Sequence, residues 1–274
     1  MSPGSPLPFL EGATWSSTEG AVRARGRLAP GDPIYAGHFP GRPILPAIGQ
    51  LELARAALSL ALGRPLALVG IPHLKLRQTL VPGQEIEIEI GAETDSGLRT
   101  FAVRSLGAPV TTGALRFGPQ AGGGPGAADS SSEAGREPLT GLLPHAPPAC
   151  FLRGIETSGA EEIVCLACVP AEHALVREGW APNFLALEAG AQAAGVLEAG
   201  ARREGGAAPS VGYVVGMRDV EIAFAPIAAG HPFRITARRV GGAGALAVYE
   251  VEASGAGGPI AKGTLSAFLP DRAE

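Results

Sequence analysis

The clearest pattern in the chain is the strict alternation at residues 84–90, Gln84-Glu85-Ile86-Glu87-Ile88-Glu89-Ile90. Side chains of an extended strand point alternately to its two faces, so this run predicts a half-buried antiparallel strand with isoleucine inside and carboxylates outside. Ala21–Leu28 alternates small or apolar residues with arginine in the same way, and Thr14–Ser17 precedes it as a partner. Arg99–Leu106 and Val110–Phe117 read as further strands, Leu66–Gln78 is another apolar-rich stretch, and Val81-Pro82-Gly83 is a turn. Two segments break the period of two. One runs from Ala47 to about Gly63, the other over residues 182–195, and each opens on a proline, Pro46 or Pro182. Proline suits the first turn of a helix because its missing N–H has no partner there anyway. The first helix is apolar on nearly every side, which predicts that other structure wraps it, yet it carries Glu52.

The pattern runs twice. After Leu142–Pro148 a strand pair reaches Val169, the second helix follows, and four strands close the chain: Gly212–Ala225, Pro232–Val240, Leu246–Ala253 and Pro259–Leu269. The segment Val240–Gly244 joins two of them as a hairpin. Thirty residues separate Gly83 from Gly113 in the first half, and 33 separate Gly230 from Gly263 in the second. Such a repeat predicts two copies of one unit. The expected organisation is a first domain over 1–117, a flexible linker over 118–136 and a second domain over 137–274. The linker is mostly Gly, Ala, Pro, Ser and acids, with almost nothing to bury.

The candidate chemistry lies at Gly37-His38-Phe39-Pro40-Gly41-Arg42-Pro43-Ile44-Leu45-Pro46. Prolines fix φ and glycines allow turns closed to other residues, so this loop holds its histidine still. Fourteen residues past His38 stands Glu52, inside the first helix. A carboxylate in an apolar wrapping is costly unless it has a partner or a function. The stretch resembles the active-site signature of the 3-hydroxyacyl-acyl-carrier-protein dehydratases, G-H-F-P-G-x-P-x-x-P-G-V, with Ala47 where that family usually has glycine. The resemblance implies an α+β fold: a double hot-dog, two antiparallel sheets each wrapped around a long central helix, paired as a pseudo-dimer. Leu142-Leu143-Pro144-His145-Ala146-Pro147-Pro148 is similar to the family's opening L-P-H-R-x-P. Glu188-Ala189-Gly190-Ala191-Gln192 is similar to its E-A-x-A-Q.

In that family a histidine of one protomer meets an acid from the other's helix. The second half has no His-Phe-Pro-Gly loop, and the first has Ala56 where the second has Gln192. The resemblance, to the paired dehydratases of aryl-polyene-type pathways, therefore implies one site per chain. His38 is its base and Glu188 its acid, supported by Gln192, Gly41 and Pro46. The backbone N–H groups of Ala47 and Ile48 face the thioester oxygen, and Glu52 reads as a remnant or structural acid, with a role as secondary acid as the alternative. Glu188, in an apolar slot, is expected to have a raised pKa. Neither a metal nor an organic cofactor is expected. The implied reaction is dehydration of (3R)-3-hydroxyacyl thioesters on acyl-carrier protein to trans-2-enoyl thioesters, for fatty-acid, polyene or polyketide-like biosynthesis. A hot-dog thioesterase and a non-catalytic acyl-binding partner of a synthase are the alternatives. His73, His145 and His231 read as structural and His173 as a surface loop residue. Cys165-Leu166-Ala167-Cys168 reads as buried thiols, since residues three apart on a strand face opposite ways.

Composition narrows the partners. The chain has 274 residues, 46% hydrophobic and 18% charged, with a net charge of −4 and a pI near 5.8. This balance predicts a real core and gives no support to nucleic-acid binding. Met1–Trp15 lacks a charged start and an apolar run, no stretch is long and apolar enough for a membrane span, and three cysteines make no disulfide framework. The expectation is a cytoplasmic protein that meets an acidic carrier through Arg42, Arg177, Arg202 or Arg203, with further homo-oligomerisation open.

Overall fold

The alternation at 84–90 behaves as its pattern requires: Ile86, Ile88 and Ile90 are buried while Glu85 and Glu87 face solvent. In the computed structural model, which describes residues 6–122, 139, 141–204 and 211–270, that strand belongs to the first of two similar halves. The first half contains β1 (Leu10–Thr18), β2 (Ala21–Leu28), a 3-10 turn (Pro33–Tyr35), α1 (Ala47–Leu62), β3 (Leu66–Leu76), β4 (Glu85–Ile90), β5 (Arg99–Ser105) and β6 (Ala108–Pro119). The second contains β7 (Leu152–Ser158), β8 (Glu162–Cys168), β9 (Trp180–Ala181), α2 (Leu185–Glu204), β10 (Tyr213–Ile222), β11 (Ile227–Ala228), β12 (Pro232–Ala243), β13 (Leu246–Gly255) and β14 (Gly258–Phe268). β6 extends to Pro119, into the first residues of the expected linker; its residues 123–136 lie outside the described residues.

The two sets of six long strands join into one antiparallel sheet, in the order β1-β2-β4-β5-β6-β3-β10-β14-β13-β12-β8-β7. The join is the pairing of β3 with β10, from Gly70 opposite Glu221 to Lys75 opposite Gly216. An unpaired edge strand leaves a row of backbone donors and acceptors open, and pairing the two edges removes that cost. The short β9 and β11 form a separate ribbon, Ile227 opposite Ala181 and Ala228 opposite Trp180. Two residues are too few for any periodic signal.

Each half-sheet wraps its helix. Leu51, Leu53, Ala54, Ala57 and Leu58 of α1 are buried, and Gly63 ends that helix with φ +65, a left-handed cap that glycine adopts without penalty. On α2, a Cβ at Gly190 would lie 3.1 Å from Val251, so glycine lets the helix settle close on β13. Burial of these apolar faces in one continuous core, at roughly 25 cal/mol per Å², is the main stabilising term. Among the described residues no helix is long and apolar enough to cross a membrane.

Candidate active site

The His38 loop lies against the segment that enters the second half. Gly37 accepts a hydrogen bond from the Ala146 N–H at 3.0 Å, and its φ is +80. A Cβ there would come within 1.9 Å of the Ala146 carbonyl oxygen. Glycine is thus required twice over at this position, by conformation and by close approach. Gly37→Ala is expected to cut dehydration at least tenfold while circular dichroism stays native, because it pushes apart the two segments that carry His38 and His145. Wild-type turnover by that variant would show that the contact is dispensable.

Three side chains converge at the seam. His38 Nε2 stands 3.7 Å from Glu188 Oε1, and His145 Nε2 stands 3.2 Å from the same oxygen. His38 is 8% exposed and Glu188 9%, so both sit where charge is weakly solvated. His38 comes from the first half, while His145 and Glu188 come from the second, the latter from the first turn of α2. Gln192, one turn on, fixes the carboxylate: its amide nitrogen donates to Glu188 Oε1 at 3.1 Å and to the Ala149 carbonyl at 2.7 Å. Its oxygen accepts from the Phe151 N–H at 2.9 Å, so the whole side chain is committed. The rings of His38 and Phe39 stack at 4.5 Å, and Phe39 meets His145 edge-on at 4.8 Å.

Burial pushes the His38 pKa down; the charge of Glu188 opposes that shift only in part, so the ring is neutral near pH 7 and has a lone pair to use as a base. Glu188 departs from expectation. Burial pushes its pKa up, but the hydrogen bond from His145, the charges of His38 and His145 and the hydrogen bond from Gln192 together pull it down to about 2. The raised pKa expected from an apolar slot is corrected here: the slot is apolar, but donors aim at the carboxylate, and the ionised form wins.

A cavity of ≈ 300 Å³ opens from this cluster. Pro46, Ala47 and Gln50 line it from the first half; Glu188, Ala191, Gln192 and Gly195 line it from α2. Glu188 to Arg202 spans roughly 20 Å of helix at about 1.5 Å per residue, so the cavity is a long slot along α2. Ala47 opens α1, where the first N–H groups have no partner within the helix and carry its positive dipole end. Ile48 is 2% exposed and is not part of the cavity wall. Gly41 is exposed at a turn with φ +78, outside the cavity wall, and shapes the loop rather than the pocket.

Glu52 stands elsewhere. Arg55 holds it through two bonds of 2.7 Å, and both line a second cavity of ≈ 290 Å³ with Leu175, Arg177 and Asn183. This is the repeat-related counterpart of the first cavity: Glu52, Arg55 and Ala56 occupy the helix positions of Glu188, Ala191 and Gln192. Where α2 has small Ala191, α1 has an arginine that engages the acid. Glu52 is therefore ion-paired with Arg55 and lines a different cavity from the one His38 lines. His145 is also corrected, from structural to part of the cluster; its signal was the L-P-H opening, whose meaning only the tertiary contact with Gly37 reveals. His173 is 6% exposed rather than on the surface, packed edge-on against Phe151 at 5.1 Å, and burial pushes its pKa down to about 4. Cys165 and Cys168 are free and buried.

Two similar half-sheets, each wrapped around a helix and joined edge to edge, thus bring a histidine of one half beside a helix carboxylate of the other at the head of an apolar slot. A family model described as ApeI-like, ApeI dehydratase, matches residues 14–114, and one described as ApeP-like, ApeP dehydratase, matches residues 137–274. The chain belongs to this dehydratase family. FabZ, a 3-hydroxyacyl-acyl-carrier-protein dehydratase of Chlamydia trachomatis serovar L2, is 32% identical over 109 residues, 35% of this chain and 71% of that protein. The dehydratase domain of RzxB from Pseudomonas fluorescens shares the fold, with a TM-score of 0.69 and 15% identity over 97% of this chain and 99% of that one. So does the bifunctional dehydratase-cyclase domain of ambruticin biosynthesis, with a TM-score of 0.61 and 22% identity over 96% of each chain.

Proposed function

We propose that this dehydratase removes water from (3R)-3-hydroxyacyl thioesters carried on acyl-carrier protein, at one site per chain built from both halves. The observation that carries the reading is the His38 imidazole 3.7 Å from the Glu188 carboxylate at the head of a long apolar slot, with burial pushing the histidine pKa down and the donors around Glu188 pulling the acid's down. Elimination needs a base for the C2 proton, a proton for the departing hydroxyl and donors for the enolate oxygen. His38 Nε2 takes the C2 proton. Ala47 lines the cavity at the start of α1, and its N–H is the donor we assign to the oxygen where negative charge grows.

Because Glu188 is ionised at rest, it does not bring the second proton itself. It stabilises the imidazolium as that forms and passes the proton on to the C3 hydroxyl. The proton taken from C2 and the hydroxyl lost from C3 then leave together as water, and the site returns to its starting state. His145 and Gln192 keep Oε1 aimed between the ring and the slot, and the acyl chain lies along α2 toward Arg202.

Support for a carrier-borne substrate is electrostatic. Arg42 is exposed beside the His38 loop, its guanidinium reaching the Tyr213 hydroxyl at 3.5 Å, and Arg77 and Arg202 line the slot. Arg177 donates to the Ala174 and Val176 carbonyls by the second cavity, so it is not part of this rim. The test compares one 3-hydroxyacyl chain presented on acyl-carrier protein and on coenzyme A. We expect the carrier form to give the higher kcat/KM and to lose that advantage as salt rises, since steering by exposed charge is screened. Equal kcat/KM at low salt would remove the carrier from the account while leaving dehydration intact.

A further inference from the structure

We infer that the same three side chains form a binding site for one divalent transition-metal ion, and that the ion acts as a reversible inhibitor rather than as a cofactor. The inference rests on the proposed site but concerns a different ligand. One ring nitrogen each of His38 and His145 and a carboxylate oxygen of Glu188 lie within 4.8 Å of one another. A tetrahedral zinc site with bonds of about 2.0–2.1 Å places neighbouring ligand atoms about 3.4 Å apart. Two of the three separations, the 3.2 and 3.7 Å to Glu188 Oε1, fall on either side of that spacing. Two imidazoles and one carboxylate with a fourth direction open to a cavity form a donor set that zinc accepts readily.

The surroundings favour an ion over a further side-chain cation. Among the described residues, the ion-pair partners of Glu188 are the two histidines, and no lysine or arginine reaches it. Neutral imidazole is the ligating form, and burial already disfavours the charged ring at His38. The outer shell argues that the ion exchanges freely. Ligating histidines usually donate their second N–H to a carboxylate or carbonyl, yet Nδ1 of both His38 and His145 is buried with no partner. Missing outer partners of this kind weaken metal sites by about 10–100-fold, so the ion binds and leaves.

Binding would stop turnover for a definite reason. The metal takes the Nε2 lone pair that His38 needs as base and the Oε1 lone pair that Glu188 needs to pass a proton. It also occupies the space meant for the substrate's C3 hydroxyl. Inhibition should therefore be competitive with the thioester. The cysteines are no rival site by geometry: Cys165 and Cys168 sit three apart on β8, and burial pushes the Cys165 thiol up to about 12, far from the thiolate that binds metal.

The test uses tag-free, chelator-stripped full chain titrated with zinc chloride by calorimetry, and with cobalt chloride followed by visible absorption. One ion per chain is expected, with a cobalt spectrum typical of nitrogen and oxygen ligands and no thiolate charge-transfer band. His145→Ala and, as a second variant against loss of folding, His38→Gln should each weaken zinc binding by about tenfold or more, with native circular dichroism. In the dehydration assay zinc should inhibit, added substrate should relieve it, and a chelator should restore the rate. Absence of stoichiometric binding, unchanged affinity in both folded variants, a thiolate band, or a rate that rises with zinc would each overturn the inference. The binding arms do not depend on which thioester is the substrate.

Discussion

His38→Ala lowers dehydration by about 10²–10⁴-fold, with KM for the thioester changed far less than kcat. In the proposed mechanism this ring is the base at the head of the slot. His145 faces the same carboxylate oxygen but enters from the second half, and His173 is packed away against Phe151. Removing the ring leaves the apolar slot and the α1 N-terminus in place, so substrate still binds. Steady-state rates on a 3-hydroxyacyl carrier-protein thioester check this. A kcat within threefold of wild type would remove His38 from the chemistry.

Glu188→Gln is expected to cost a similar factor, about 10²–10⁴-fold in kcat, for a different reason. The amide keeps the size of the carboxylate and can still meet Gln192. What it loses is the negative charge that stabilises the imidazolium and the oxygen that carries the proton across to the hydroxyl. Since the ionised form is the resting one, the variant removes a charge from a site of low dielectric, where charge counts for more than in water. Glu188→Asp should recover less than a tenth of the lost rate, because the shorter side chain retreats from His38 even though it stays ionised. Full activity of Glu188→Gln would show that the carboxylate only fills space.

Much of this arrangement was legible in the sequence, and the reasons are specific. Ile86, Ile88 and Ile90 alternate with glutamates, so their strand could be read from period alone. The two helices were visible as apolar runs without alternation; Pro46 caps α1 as expected, whereas α2 begins at Leu185, three residues past Pro182. The resemblance to the dehydratase family, applied to the two repeats, set His38 against Glu188. Other features needed the fold. The edge pairing of β3 with β10 makes one sheet of two, and no local pattern encodes which edges meet. His145 reads as an unremarkable loop residue until Gly37 docks against Ala146 and swings it over the carboxylate. The Glu52–Arg55 pair was hidden because a residue three positions along a helix can as well point to solvent; only the second cavity shows that it turns inward. The lowered Glu188 pKa escaped for the same reason, since a sequence gives the apolar wall but not the donors that pierce it.

The two helix carboxylates, measured side by side, test the cross-half site most directly. Dehydration rates of wild type, Glu52→Gln and Glu188→Gln on one carrier-bound thioester, with thermal unfolding to confirm that each variant folds, separate the possibilities. The rate should fall by about 100-fold or more for Glu188→Gln and by less than about threefold for Glu52→Gln. A large loss from Glu52→Gln with little from Glu188→Gln would contradict the cross-half site, because the working acid would then lie in the cavity that holds no histidine loop.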